Sequence, residues 1–250
     1  MGPLVRAELL KLTSTRMLRW MAVCTLAIVG LNVALNVTMA GRGEAPALTT
    51  ADGVNTVFAA AGTGMTLMLV VGIMSMSGEF RHGTATSTFL TTSRRRRVIQ
   101  AKAAAAGLAG LAFGILAVVL TLAMGLPWLL IEGASVDSFT GPASILAGSV
   151  FVTAVAGALG VGIGSVIRNQ TVAVAAGLSW VLILESLLGG LAPSVGRWSL
   201  NGATSSLVTA VGTGYSDREL LPWYVAAGLV LAYTSLALTA GVRALRRADI

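Results

Sequence analysis

The sequence predicts an all-α integral membrane protein with six transmembrane helices. Both termini are expected on the cytoplasmic side, with an interfacial amphipathic helix ahead of the first span. Three observations carry this. Only 11% of the 250 residues are charged against 55% hydrophobic, and mean hydropathy is +0.84; a soluble domain carries about 25% charged residues. Apolar runs long enough to cross a bilayer, which takes about 20 residues in a helix, recur along the chain. The cations are also unevenly placed. If both ends lie inside, fourteen of the 17 Lys and Arg fall in inner segments and three, Arg42, Arg197 and Arg218, in outer ones. That is the asymmetry expected when Lys and Arg remain in the cytoplasm.

Residues 1–19 carry Arg6, Lys11, Arg16 and Arg19 with one acid, Glu8. Val5, Leu9 and Leu12 share a helical face from which Arg6, Glu8 and Lys11 are excluded, as in an interfacial helix. A cleaved signal peptide is the weaker alternative, because the apolar run from Trp20 exceeds a typical h-region and no clear cleavage site follows. The spans are expected at about 20–40, 54–77, 103–126, 144–166, 171–188 and 223–242, within one domain covering 1–250. Outer loops follow at Gly41–Gly53, around Glu132 and Asp137, and in a longer segment from Gly189 to Leu221. Gly110 with Gly114, and Gly160 with Gly164, are small-xxx-small pairs that let helices approach closely. Packing within the chain is the expected use.

Composition and motifs exclude several functions. The net charge of +7 and pI near 10.7 do not signal nucleic acid, since the cations lie between apolar runs without interleaved aromatics. One cysteine, Cys24, and one histidine, His82, supply neither a disulfide nor a metal framework. There is no GxxxxGK phosphate loop and no GxSxG elbow, so neither ATP hydrolysis nor an intramembrane serine hydrolase is expected. Catalytic residues, cofactors and metals are therefore expected to be absent.

Two places invite a functional reading. Glu185, in SWVLILESLLGG, is the one carboxylate inside a span. Such a group costs about 2.5–3.5 kcal/mol at a helix centre. It reads either as an interfacial carboxylate satisfied by backbone or water, or as a polar element of an outer gate. The other is Gly78–Lys102, GEFRHGTATSTFLTTSRRRRVIQAK, the longest polar interruption. Arg94, Arg95, Arg96 and Arg97 read as an anchor on anionic headgroups, worth about 1 kcal/mol per cation, or as a docking element.

Within that interruption Glu79-Phe80-Arg81-His82-Gly83-Thr84 leaves the second span, followed by a polar stretch, the arginines and Lys102. This order resembles the loop between the second and third spans of bacterial ABC-2-type transporter permeases, with their Glu-aromatic-Arg-x-Gly-Thr core. The likeness extends to the basic N-terminal segment, the six spans, and Trp180, Glu185 and Pro193 near the fifth-span exit. Relatives often place proline before the arginines, where this chain has Thr92 and Ser93.

The resemblance implies an exporter subunit in the bacterial cell membrane. It would work with a second permease copy or paralogue and a separate ATPase that binds and hydrolyses ATP. Glu79 through Thr84 would couple to that ATPase: Glu79 capping or pairing with a cation, Phe80 filling an apolar pocket, Gly83 permitting a close turn. Substrates of such systems include antibiotics, lipids, glycans and peptides, and nothing in the sequence selects one. Two rivals are a non-transporting immunity or sensor subunit and an intramembrane enzyme.

Overall fold

The structure, a computed structural model, describes residues 2–43, 45–81, 83, 95–134, 141–209 and 220–246. Among these residues every regular element is helical, and six helical stretches are long and apolar enough to span a membrane. Helix α1 is Gly2–Ser14; a break at Thr15 leads into the first span, α2 (Arg16–Met39). The second span is α3 (Ala51–Ala59), a 3-10 turn (Ala60–Thr63) and α4 (Gly64–Arg81). The third is α5 (Arg95–Ile131) and the fourth α6 (Pro142–Val166).

The fifth span combines α7 (Gln170–Ser179), a π turn (Trp180–Leu184) and α8 (Glu185–Leu191). Short α9 (Pro193–Gly196) and α10 (Leu200–Val208) precede the sixth span, α11 (Trp223–Arg246).

The apolar runs set these spans, and small residues set their arrangement. Lipid tails are as apolar as leucine, so helices associate in a membrane through close packing rather than water exclusion. Helix α6 is the hub, packed against α4, α5 and α11. Its glycines bring the neighbouring backbones within touching distance. A Cβ on Gly160 would strike the backbone of Leu69 and Ile73 in α4, and one on Gly164 would strike Ile73 again. On the other side a Cβ on Gly110 would lie 2.5 Å from the Thr153 carbonyl oxygen, and one on Gly114 2.8 Å from Val150 Cα. Both glycine pairs serve contacts within the chain.

The second and fourth spans are accordingly the most enclosed, with 67% and 61% of their most apolar windows buried, against 17–22% for the first, fifth and sixth. Several buried hydroxyls turn back onto their own helices: Ser77 donates to Ile73 O at 2.8 Å, Thr153 to Ser149 O at 2.7 Å and Ser165 to Val161 O at 2.6 Å. No water is needed to satisfy them.

Several boundaries differ from expectation. Gly78–Arg81 continue α4, and Arg95–Lys102 form the first turns of α5, so the polar interruption shrinks at both ends. Pro127 and Trp128, just beyond the expected end of the third span at 126, lie inside α5. The segment expected as a plain loop from Gly189 contains α9 and α10, and α10 packs against α6 and α11. A Cβ on Gly62, in the 3-10 turn, would meet Val208 Cγ1 at 2.5 Å, so the second span is irregular where α10 leans on it.

Candidate functional site

The N-terminal helix carries the first departure from the sequence pattern. Glu8 lies on its buried face beside Leu12, only 4% exposed, not on the polar face with Arg6 and Lys11. The burial is possible because Lys102, 3% exposed in α5, places Nζ 2.5 Å from Glu8 Oε2 and 3.0 Å from Glu79 Oε1. Lys11 closes the group from the solvent side, 3.1 Å from Glu8 Oε1 and 3.2 Å from Glu79 Oε1. Two carboxylates and two ammonium groups alternate, so the cluster is neutral as a whole. Glu79 Oε2 is buried without a partner.

This clasp ties three elements together: α1, the end of α4 and the start of α5. Burial alone pushes the Glu8 carboxyl up; the adjacent Lys102 charge and the hydrogen bonds from Lys102 and Lys11 outweigh it, holding Glu8 below the usual carboxylate range. For Lys11 burial acts downward, and the Glu79 charge with hydrogen bonds to Glu8 and Glu79 raises the ammonium above its ordinary value.

The clasp decides where the sequence-predicted coupling residues stand. Glu79 pairs with Lys11 and Lys102 of its own chain. Phe80 is half-buried against the cluster around Met76, Ile99 and Leu245, so its ring packs largely on the protein's own core. Arg81 is exposed and donates from Nη1 to Gln170 Oε1 at 3.3 Å, linking the second span to the fifth. Gly83 sits at φ +68 and is exposed, with Gly83 N donating to Phe80 O at 3.4 Å. That left-handed conformation favours glycine. His82, Thr84 and Arg94 lie outside the described residues. Arg95 begins α5, and Arg96 and Arg97 are exposed on its first turn. Lys102 was legible as a cation opening the third span; its pairing with Glu8, 94 residues away, was not.

Glu185 is the third buried carboxylate among the described residues, 3% exposed. It does not snorkel: Trp180 Nε1 donates to Oε1 at 2.7 Å and Asn201 N donates to Oε2 at 2.6 Å. The π turn explains the first bond. One extra residue in the turn brings positions five apart onto nearly one face, whereas an α-helix would set them well apart. The second bond places the carboxylate at the start of α10, where the helix dipole favours negative charge. Glu185 thus pins the fold-back segment to the fifth span.

Beside it lies a cavity of about 550 Å³ whose walls come from Leu69, Ile163, Val181, Leu188, Leu200 and Tyr233 among others. Its volume and apolar lining are those of small-molecule sites. Both Glu185 oxygens are already engaged, so the cavity suits an uncharged, apolar group. Replacing Glu185 by leucine should lower stability by about 2 kcal/mol or more, since a buried donor left unpaired costs about 1–3 kcal/mol. Glu185→Gln, which keeps an acceptor, should cost less. Thermal unfolding in detergent would read this; an unchanged midpoint for Glu185→Leu would remove the pinning role.

Among the described residues no group of three or more His, Cys, Asp or Glu is placed to hold a metal. No protein-family model matches the chain, and no curated protein matches it.

Proposed function

We propose that the chain is the membrane-spanning permease subunit of an ATP-driven exporter of the ABC-2 type, working with a separate ATPase and a second permease copy or paralogue. The observation that carries the reading is the clasp. Glu79 and Lys102 stand at the two ends of the stretch whose sequence resembles an ATPase-docking loop, and their 3.0 Å contact closes its base. A push on residues 82–94 would therefore reach α4, α5 and α1 together. From α4 it would pass to α6 through the glycine contacts, and from Arg81 to the fifth span beside the apolar cavity. Movement of these walls would expose the cavity to alternate sides, powered by ATP on the partner. The chain binds an uncharged apolar part of its substrate there.

In this reading the chain resides in a bacterial plasma membrane, with both termini and the 82–94 stretch in the cytoplasm. In a Cys24→Ser background, externally added maleimide should label Ala45→Cys and Tyr215→Cys in intact cells but not Thr88→Cys. Labelling at position 88 would invert the topology.

Coupling is tested by Gly83→Val. The exposed turn has room for a side chain, nothing lying within 4 Å of an added Cβ, but a branched residue strains the φ of +68. A left-handed backbone costs about 1–2 kcal/mol for an L-residue. Insertion should stay intact and melting should fall by only a few degrees, while co-purification of a phosphate-loop ATPase, or coupling of its hydrolysis to transport, is lost. Full ATPase association and full transport by Gly83→Val would make the stretch a plain linker. An absence of any associated ATPase with the unmodified protein in its native membrane would favour the immunity or sensor reading.

A further inference from the structure

A second polar feature at the Arg-rich end is separate from the clasp. A groove of about 490 Å³ is lined, among the described residues, by Arg16, Arg19, Trp20 and Val23. Their spacing of three, one and three puts them on one face of the first two turns of α2. Arg16 and Arg19 are exposed, and among the described residues neither has a carboxylate partner. Glu8 is the only acid in residues 1–43, and it is buried in the clasp. Among the described residues nothing on this face neutralises the two guanidinium groups.

Trp20 is 67% exposed and Val23 55% exposed, and the exposed stripe continues through Ala27, Leu31 and Leu35. Two cations, then an indole, then aliphatic side chains follow one another down a single helix face. That is the layering of a bilayer leaflet: charged headgroup, interface, hydrocarbon.

We infer that this groove is a binding site for one anionic phospholipid. The two guanidinium groups hold the phosphodiester, for which their planar donor forks are suited. The Trp20 ring packs at the level of the glycerol esters, and an acyl chain lies along Val23, Ala27 and Leu31. An acidic protein surface would match the arginines but not the apolar stripe below them. A second copy would match the stripe but leave the cations unanswered, because its own face carries the same charges. The site stands on the membrane placement of the chain and does not depend on the proposed ATPase.

The test uses the full chain, purified and delipidated in neutral detergent, titrated with dioleoyl-phosphatidylglycerol or dioleoyl-phosphatidylcholine and read by native mass spectrometry. The unmodified protein should bind the anionic lipid preferentially. Arg16→Gln with Arg19→Gln should weaken that binding about thirtyfold, the loss expected from two cations at a headgroup. Arg16→Lys with Arg19→Lys, keeping charge without the fork, should fall between. Arg168→Gln with Arg243→Gln removes the same charge from two other exposed arginines and should change little. Equal affinity of the unmodified protein for both lipids would overturn the site without any variant. An equal loss in the Arg168 and Arg243 pair would reduce it to general surface charge. Conversion of a dimer to a monomer by the Arg16 and Arg19 pair, with bound lipid unchanged, would assign the face to a second copy.

Discussion

Lys102→Met should be among the most damaging single substitutions in the chain. It leaves Glu8 and Glu79 buried around a missing cation, and removal of one partner from a buried ion pair costs about 3–5 kcal/mol. Lys11 cannot replace it, since its ammonium reaches the cluster from a half-exposed position on the far side. Unfolding in detergent should shift by several degrees, and α1 should become sensitive to protease. The combined variant Glu8→Leu, Glu79→Leu, Lys102→Met should recover most of the loss, because buried charges can be replaced by apolar volume at little net cost. Wild-type stability in Lys102→Met would show that the clasp does not hold α1, and the coupling reading would lose its support.

The clasp also has a defined pH range. Because the Glu8 carboxyl is held below its ordinary value, its contribution is complete above the usual carboxylate range and is lost as pH falls through the depressed folded value. Lys11 acts oppositely: raised in the fold, it contributes fully below its ordinary value and the contribution fades as pH rises through the raised one. The groups facing them are Glu79 from α4 and Lys102 from α5. Between mildly acidic and mildly alkaline pH, the stability difference between wild type and Glu8→Gln should therefore stay flat. A difference that changes steeply near neutrality would contradict the charge states assigned here.

Gly160→Val should be the other severe change. An added Cβ would press on the Leu69 carbonyl and lie 2.8 Å from Ile73 N and 2.9 Å from Gly72 Cα. These are backbone atoms of a neighbouring helix, so relief requires α4 and α6 to separate. Overpacking costs about 1–3 kcal/mol, occasionally more, and a branched side chain against backbone belongs at the upper end. Gly228→Val, with nothing within 4 Å of its added Cβ, is the matched control. The yield of monodisperse protein and its melting midpoint should fall for Gly160→Val only. Equal behaviour of the two would mean that α4 and α6 are not in close contact.

Much of the architecture was legible because it depends on local composition. Apolar run length marks a span, since any helix crossing hydrocarbon must be about 20 residues long. The glycine pairs in α5 and α6 were visible for a similar reason: two small residues four apart leave a flat face whatever the partner. Boundaries drifted where polar side chains continue a helix. Gly78–Arg81 and Arg95–Lys102 read as loop because charge marks the end of an apolar run, yet a helix can leave the hydrocarbon and keep its hydrogen bonds.

The charged residues were the hardest to place. Periodicity put Glu8 on the solvent face, and its sequence neighbours gave no reason to bury it. Glu185 read as interfacial because its partners, a π turn and the start of α10, are products of folding. In sequence terms, then, the chain by itself determined that it forms six apolar helices, where they run, and which faces pack closely. Only the tertiary structure decided which charges are buried, because a carboxylate enters the interior only where distant donors converge on it. Lys102 for Glu8 and Asn201 N for Glu185 are brought there by helices that no local pattern pairs, and Trp180 reaches Glu185 only through the π turn of its own span.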